Sequence, residues 1–385
     1  VCDVAVIGAG VFGAWSAYQL QRAGMRVVLI DAHGSGNSRS SSGGESRIIR
    51  MGYGGDEIYT RSAQRSLQLW LELFARIDQK LFYRTGVLWL AHENDPYPVQ
   101  TAETLPRLGI PCEKLTTAEV AGRYPQIGLD GISWAMLEPN SGVLLARRAV
   151  SGVTYAAVKT GVEYLQEKVS GPAVPPVNSK TKLDQLVTAS GQHISAAHFV
   201  FACGPWLPKI FPALLADRIH PTRQEVFFFG TPAGDARYTQ PAMPTLIDFK
   251  DEAYALPDLE GRGIKVAIDR HGSEFDPDTG DRVVTSRGLA EVRQYLARRL
   301  PDLKDAPVTE TRVCQYENTS NGDFLIDLHP EFENVWLVGG GSGHGFKHGP
   351  VVGEYVAARI TGSMDGVEPR FSLETKARER NRAVF

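Results

Sequence analysis

Residues 3–31 read DVAVIGAGVFGAWSAYQLQRAGMRVVLID. Val4 to Ile7 are four apolar residues in a row, β-branched at Val4, Val6 and Ile7, which suits a strand buried on both faces. Gly8-Ala-Gly-Val-Phe-Gly13 follows at once. From Ala14 to Ala23 the residues are good helix formers, with apolar positions at Ala14, Ala17, Tyr18 and Leu20, and Gly24 stands where a helix-ending glycine belongs. Arg26 to Ile30 reads as a second buried strand, closed by Asp31. Strand, glycine turn, helix, strand and acid within about 30 residues is the full context of the dinucleotide-binding fingerprint. Each part has a physical task. Gly8 makes the tight turn, Gly10 lets backbone approach a pyrophosphate, and Gly13 lets the helix pack on the strand. The helix start at Val11 and Phe12 offers free N–H groups and a partial positive charge to phosphate. Asp31, followed by Ala32, is placed to accept hydrogen bonds from ribose hydroxyls.

The chain around this stretch has 385 residues, enough for two to three domains at about 150 residues each. Lys and Arg number 41 against 44 Asp and Glu, a formal charge of −3. That balance argues against a nucleic-acid or membrane-surface protein. No apolar run approaches the roughly 18 residues of a spanning helix, and Val1-Cys2-Asp3 does not open a secretory leader, so a cytoplasmic protein is expected. Four cysteines with no CxxC pair predict neither a disulfide framework nor a structural metal site.

An NAD dehydrogenase would continue in alternating strands and helices. This chain instead enters a polar loop, Gly34 to Gly44, that reads as backbone arranged around a ligand. Beyond it, Ser46-Arg-Ile-Ile-Arg50 with Tyr53-Gly54, Thr85-Gly-Val-Leu88, Glu138-Pro-Asn-Ser-Gly-Val-Leu144, Phe324-Leu-Ile-Asp-Leu-His-Pro330 and Gly341-Ser-Gly-His-Gly-Phe-Lys347 resemble, in order and over nearly the whole chain, the sarcosine, N-methyltryptophan and pipecolate oxidases. These are amine-oxidising members of the D-amino-acid-oxidase-like flavoproteins; residues 228–250 carry no matching block.

The resemblance implies FAD and an α/β architecture. A glutathione-reductase-type Rossmann-like domain (1–85, 142–215 and 313–385) is expected to interleave with a mixed-sheet α+β substrate domain (86–141 and 216–312). The residues agree with helices over Ile58–Ile77 and from Leu145, and with buried strands at Val87–Leu90, from Phe199 to its end at Gly204, and at Asn334–Val338. A strand is expected around Gly161–Val169. Gly171 to Ser179 reads as a surface loop, and the charged residues from about 363 onward read as a terminal extension.

The resemblance also assigns residues. Cys314 stands where the sarcosine oxidases bond the flavin through a thioether, chemistry that needs a thiolate and so a nearby positive charge. Arg50 and Lys347 match the substrate-carboxylate positions, the first with a planar fork and the second with a point charge. Lys265, a cation in the apolar run Gly263 to Ala267, matches the lysine that assists reaction with oxygen, where a fixed charge stabilises the superoxide that forms; an outward, solvated lysine is the alternative. Tyr254 and Tyr316 match cavity-lining positions and Arg47 a basic residue beside the ring. Ser42, Gly43, Ile48, Val169, Ala202, Cys203, Gly204, Trp206, Gly341, Gly343, His344, Gly345 and Phe346 complete the expected cofactor contacts.

Two departures bear on the substrate. Ser42 and Gly43 replace a histidine pair, and Asp269, with His271 beyond it, replaces a histidine four residues after Lys265. The implied activity is FAD-dependent oxidation of the C–N bond of a secondary or primary amino acid, with O2 reduced to H2O2, by a monomer. A same-fold dehydrogenase and a flavin-binding protein without turnover stay open; joint retention of Arg50, Lys265, Cys314 and Lys347 argues against the second.

Overall fold

The structure is a computed structural model and describes residues 2–173, 180–364 and 366–378. The fingerprint folds as its pattern predicts. The strand Cys2–Ile7 pairs in parallel with Val27–Ile30 on one side and with His193–Phe201 on the other. Glu163–Leu165 and Val335–Gly339 extend this sheet in parallel, and Leu325–Leu328 and Gln185–Val187 add antiparallel members to make seven strands. The central strands Cys2–Ile7, Val27–Ile30 and Val335–Gly339 are almost wholly buried, as a continuous apolar run requires. Their carboxyl ends, Ile7, Ile30, Phe201 and Val338, open on one edge, which is where open α/β sheets bind ligands.

The helix Val11–Arg22 covers this sheet and is buried from Val11 to Leu20. It crosses the helix Gly349–Ile360 closely: a Cβ at Gly353 would lie 2.6 Å from the Trp15 backbone. The helix Glu57–Arg76 starts at Asp56, whose side chain accepts the Ile58 and Tyr59 N–H groups.

An eight-stranded sheet stands apart from the first. Its order is Val308–Thr319, Ile219–Phe229, Ile264–Ile268, Ala253–Leu256, Thr245–Asp248, Val87–Ala91, Trp134–Glu138 and Glu113–Thr116. All neighbours are antiparallel except Thr245–Asp248 with Val87–Ala91. It has its own core, in which Phe227, Phe229, Tyr238, Tyr295 and Leu296 are buried together. The strand Val308–Thr319 runs unbroken across residues 312 and 313. A three-stranded sheet of Arg47–Ile49, Gly142–Leu144 and Phe82–Tyr83 carries the residues just before Arg50.

Three local readings change. The strand expected from Phe199 to Gly204 ends at Phe201, and Gly204–Trp206 forms a 3-10 turn, because Gly204 takes φ +54° and Pro205 follows it. The strand near Gly161–Val169 is short, Glu163–Leu165. Residues 366–378 are not a solvated extension. Leu373 is buried in the core, Arg370 pairs with Asp56 at 2.6 Å, and the Lys376 ammonium donates to the Arg370 carbonyl at 2.6 Å. The expected loop at 171–179 falls largely outside the described residues. Among the described residues, no helix is long and apolar enough to cross a membrane.

Candidate active site

A cavity of about 660 Å³ opens at the carboxyl ends of the parallel strands. Gly8, Gly10, Val11 and Phe12 form its wall at the glycine turn, and Asp31 and Ala32 its wall at the second strand. Gly8 has φ +101°, and a Cβ there would lie 2.4 Å from the Ala202 carbonyl oxygen. A Cβ on Gly13 would lie 1.8 Å from the Gly8 carbonyl oxygen, so this glycine serves helix–strand packing and lies behind the cavity. Gly10 differs. A Cβ there would meet only Ser42 Oγ, at 3.6 Å. The protein's own packing therefore does not demand glycine at 10, and the space it leaves faces the cavity. Room for close backbone approach at a helix start is what a pyrophosphate needs, so the residues fit FAD.

Asp31 braces the turn as well as lining the cavity. Its Oδ2 accepts from the Ala9 N–H and its Oδ1 from the His33 N–H, each at 2.8 Å. Ser42 Oγ accepts from the Val11 N–H at 3.0 Å and so lies directly over the helix start. Gly43 is held by the loop, since a Cβ there would lie 1.9 Å from the Asn37 carbonyl oxygen. Val169, Ala202, Cys203, Gly204 and Trp206 line the far side. The Cys203 thiol is pushed up by burial, with Asp31 and Glu317 adding to the effect, and it donates to the Ile7 carbonyl at 3.3 Å. Gly341, Gly343, Gly345 and Phe346 close the end toward the second sheet.

A smaller cavity of about 270 Å³ adjoins the first, and the two share Arg47, Tyr316, Gly343 and Phe346 as walls. Here the structure gathers Arg50, Tyr254, Lys265, Asp269 and Lys347, with Ile48 and His344 beside them. They come from distant segments because the Arg47–Ile49 strand, the second sheet and the Gly341–Lys347 turn all meet at this point. Arg50 is buried, with its guanidinium 4.7 Å from the Tyr53 ring centroid and 4.8 Å from that of Trp89. Lys347 donates to the Tyr53 hydroxyl at 2.7 Å and the His344 carbonyl at 3.0 Å. Burial, then the neighbouring Arg50, drives the Lys347 ammonium well below its ordinary range.

Lys265 points inward from the strand Ile264–Ile268 and is 3 % exposed, so it is not a solvated surface lysine. It donates to the Ser46 carbonyl at 2.8 Å, and burial together with Arg47 pushes it well below the usual lysine range. The Tyr316 hydroxyl donates to Asp269 Oδ1 at 2.5 Å. Burial and that carboxylate push the phenol upward, so it stays a donor. Burial likewise raises Tyr254, whose ring centroid is 5.5 Å from the Lys265 ammonium. Cys314 is buried and lines neither cavity. It sits behind Arg47, whose Nη2 donates to its Sγ at 3.1 Å and to the Ser41 carbonyl at 2.8 Å.

Several residues of this site carry no signal in the sequence reading. Glu138 is buried and accepts from the Met51 and Gly52 N–H groups, Trp89 Nε1 and Ser141 Oγ, at 2.6–3.1 Å; it fixes the backbone just after Arg50. The Tyr53 hydroxyl, which receives the Lys347 donor, also contacts His348 Nε2 at 2.7 Å and His344 Nδ1 at 3.1 Å. Glu317 is buried against the larger cavity. Glu138 lies in a block that resembles the oxidases, yet nothing local marks it as a buried carboxylate.

A dinucleotide cradle on a parallel sheet, adjoining a buried cationic pocket against a second sheet, fits a dinucleotide-dependent oxidoreductase. The chain belongs to the DAO family of FAD dependent oxidoreductases, whose family model matches residues 3–359. It is 31% identical over 389 residues to a monomeric sarcosine oxidase of Bacillus sp. (strain B-0618), covering 97% of this chain and 96% of that one. It is 29% identical to the peroxisomal sarcosine oxidase of Mus musculus, covering 91% and 90%. Among solved structures, an L-proline dehydrogenase from P. horikoshii superposes with a TM-score of 0.84 at 23% identity, covering 98% of this chain and 99% of that one, a likeness of fold.

Proposed function

We infer that the protein oxidises the C–N bond of a secondary or primary amino acid to an imine, which water then hydrolyses, with O2 reduced to H2O2. The observation that carries this reading is the buried pair Arg50 and Lys347 in a cavity that shares its wall with the dinucleotide cavity. A buried guanidinium with a lysine beside it favours an anion in the pocket, and a carboxylate matches the fork of Arg50. Bound FAD supplies the two-electron oxidation of the amine carbon and delivers the electrons to oxygen. Gly8, Gly10, Val11, Asp31 and Ser42 are placed to hold its nucleotide end, and Arg47, Tyr316, Gly343 and Phe346 to hold its ring end.

The other side chains have separable tasks. Arg50 and Lys347 orient the substrate by its carboxylate. Tyr254 and Tyr316 shape the pocket and keep their protons. Asp269 offers a carboxylate opposite the two cations, suited to an ammonium group. Lys265 sets a positive charge where negative charge develops on oxygen. The segments 1–85, 142–215 and 313–385 form the nucleotide-holding unit, and 86–141 with 216–312 form the covering unit; the separate seven- and eight-stranded sheets support that division except at 313–319, which stay in the strand Val308–Thr319 of the eight-stranded sheet. Cys314 bonds the cofactor, a reading supported by its contact with Arg47 at the shared wall. The similar sarcosine oxidase of Bacillus sp. (strain B-0618) is named as monomeric, which supports the same state here. All four cysteines are free, which suits a reducing compartment such as the cytoplasm.

The test is anaerobic mixing with sarcosine, N-methyl amino acids, proline, pipecolate and D-amino acids while flavin absorbance is followed, then admission of air. Bleaching followed by fast recovery is expected. Slow recovery would make the protein a dehydrogenase, and no bleaching with any substrate would overturn the enzymatic reading. Covalent attachment is checked by acid precipitation: the yellow colour is expected to stay with the protein and to be released from Cys314→Ser. Free flavin from the unaltered protein would refute the bond.

A further inference from the structure

We propose that Glu317 is a cofactor-positioning residue that donates a hydrogen bond from Oε2 to a hydroxyl oxygen on the ribityl chain of bound FAD. The inference rests on FAD being the cofactor. It starts from an imbalance in the strand Val308–Thr319. Glu317 is 8 % exposed. Its Oε1 accepts from the Gly341 N–H at 3.2 Å, whereas Oε2 has no hydrogen-bond partner. A buried carboxyl oxygen left in that state costs free energy unless a ligand completes it.

The surroundings are cleared for something to approach. A Cβ at Gly204 would lie 3.5 Å from Oε2, one at Gly339 would lie 3.4 Å from it, and one at Gly341 would lie 3.2 Å from Oε1. Glu317 lines the larger cavity between the fingerprint residues Gly8 and Asp31 at one end and the wall shared with the amine pocket at the other. The part of FAD between its pyrophosphate and its ring is a chain of hydroxylated carbons.

A ribityl hydroxyl can donate or accept, and the carboxyl takes the donor role when it holds its proton. Among the described residues it forms no ion pair, and burial pushes it up to about 7 against the Gly341 and Gly340 N–H groups, which pull it down. The titratable groups around it do not supply a positive charge. Cys203, at the end of the strand His193–Phe201, is a thiol raised by burial. His344, on the adjoining turn, is pushed down to about 3 by burial and Lys347, and is neutral. On the neighbouring strand Ile219–Phe229, Glu317 is opposite Pro221, while His220 is opposite Asn318 and so belongs to the other face. Of the cations along the cavity, Lys209 is paired with Asp276 and Asp278, Arg47 is committed to Ser41, Ser46 and Cys314, and neither Arg39 nor Lys168 is among the groups that shift Glu317. The approach of an anionic dinucleotide favours the neutral acid further.

Glutamine keeps both the acceptor and a donor at this position, and leucine keeps neither. The experiment measures reversible FAD and ADP binding to apoprotein carrying Cys314→Ser, so that no covalent bond intervenes. FAD is expected to bind about ten-fold more weakly at pH 8.5 than at pH 6, because the donor proton is lost. Glu317→Gln should flatten that dependence, and Glu317→Leu should weaken FAD roughly five-fold at pH 6. ADP, which has no ribityl chain, should bind alike in all three. A glutamine variant with the same pH dependence as its parent overturns the proposal, as does a leucine variant that loses ADP as much as FAD. Failure of the Cys314→Ser parent itself to bind FAD overturns the cofactor reading instead.

Discussion

Arg50 is held from several directions at once. Its guanidinium lies against Tyr53 and Trp89, donates to the Gly52 carbonyl, and stands on backbone fixed by Glu138. A lysine there keeps the charge and loses the fork and the ring contacts. Arg50→Lys is expected to weaken a simple carboxylate inhibitor about ten-fold, the worth of a charge-assisted bidentate contact. The decarboxylated amine should respond little, which titration of both ligands checks; equal losses would mean that the substitution merely loosens the site. Lys347 adds a pH dependence. Its proton is held weakly in the free pocket, and only the ammonium form attracts the carboxylate. Inhibitor affinity should therefore be full at low pH and fall as pH rises through the free-state value of Lys347. Lys347→Met should remove the slope.

At the level of elements, the helix Val11–Arg22 separates packing from binding within one motif. Alanine at 13 collides with the Gly8 backbone, whereas alanine at 10 meets only Ser42 Oγ at 3.6 Å. Gly10 also has φ −70°, which any residue adopts. Gly10→Ala should leave apoprotein stability within about 1 kcal/mol yet weaken FAD binding, while Gly13→Ala should destabilise the fold itself. Thermal melts of apoprotein and FAD titration separate the two, and equal behaviour of the variants would contradict the assignment of Gly10 to the ligand. The same helix explains what was legible in the sequence. The strand, turn and helix are determined by residues within one short stretch, so periodicity and glycine spacing were enough. The resemblance carried Arg50, Lys265, Cys314 and Lys347. Glu138, Tyr53 and Glu317 were out of reach because their meaning is set by contacts between distant segments: Glu138 serves Met51, and Tyr53 serves Lys347 and His348. A lone glutamate or tyrosine in a strand or loop has the same local pattern whether it holds a site or not. The charged C-terminal residues misled for a related reason, since Arg370 and Lys376 are satisfied by partners far away in sequence.

Across the whole molecule, the pocket for the amine rests on buried histidines. His348 connects the Tyr53 hydroxyl to Ser62 on the helix Glu57–Arg76, at 2.7 and 2.8 Å, and His344 contacts the same hydroxyl. Burial, followed by Lys347, pushes both rings far down, His344 to about 3. Above the ordinary histidine value of about 6.5, neither the folded nor the unfolded chain binds protons at these rings. Below it the unfolded chain takes them up and the folded one does not, so stability is full above about 6.5 and falls as pH falls. The slope is at most about 1.4 kcal/mol per pH unit for each ring. Glu317 acts in the opposite sense. Its folded value is raised, so the native state holds the extra proton between about 7 and the ordinary carboxyl range, and that gain offsets roughly one of the two rings. The parallel sheet adds to the acid sensitivity, because burial also lowers His329, at the end of the strand Leu325–Leu328, to about 4 and depresses His198 on the strand His193–Phe201. His348→Gln, which keeps hydrogen-bonding groups toward Tyr53 and Ser62 but cannot titrate, should flatten the pH dependence of urea unfolding by about 1.4 kcal/mol per unit between roughly pH 4.5 and 6.5. Parallel curves for the variant and its parent would show that the ring takes up its proton without unfolding, and acid lability would then have to come from other groups, the buried rings of His344 and His329 among them.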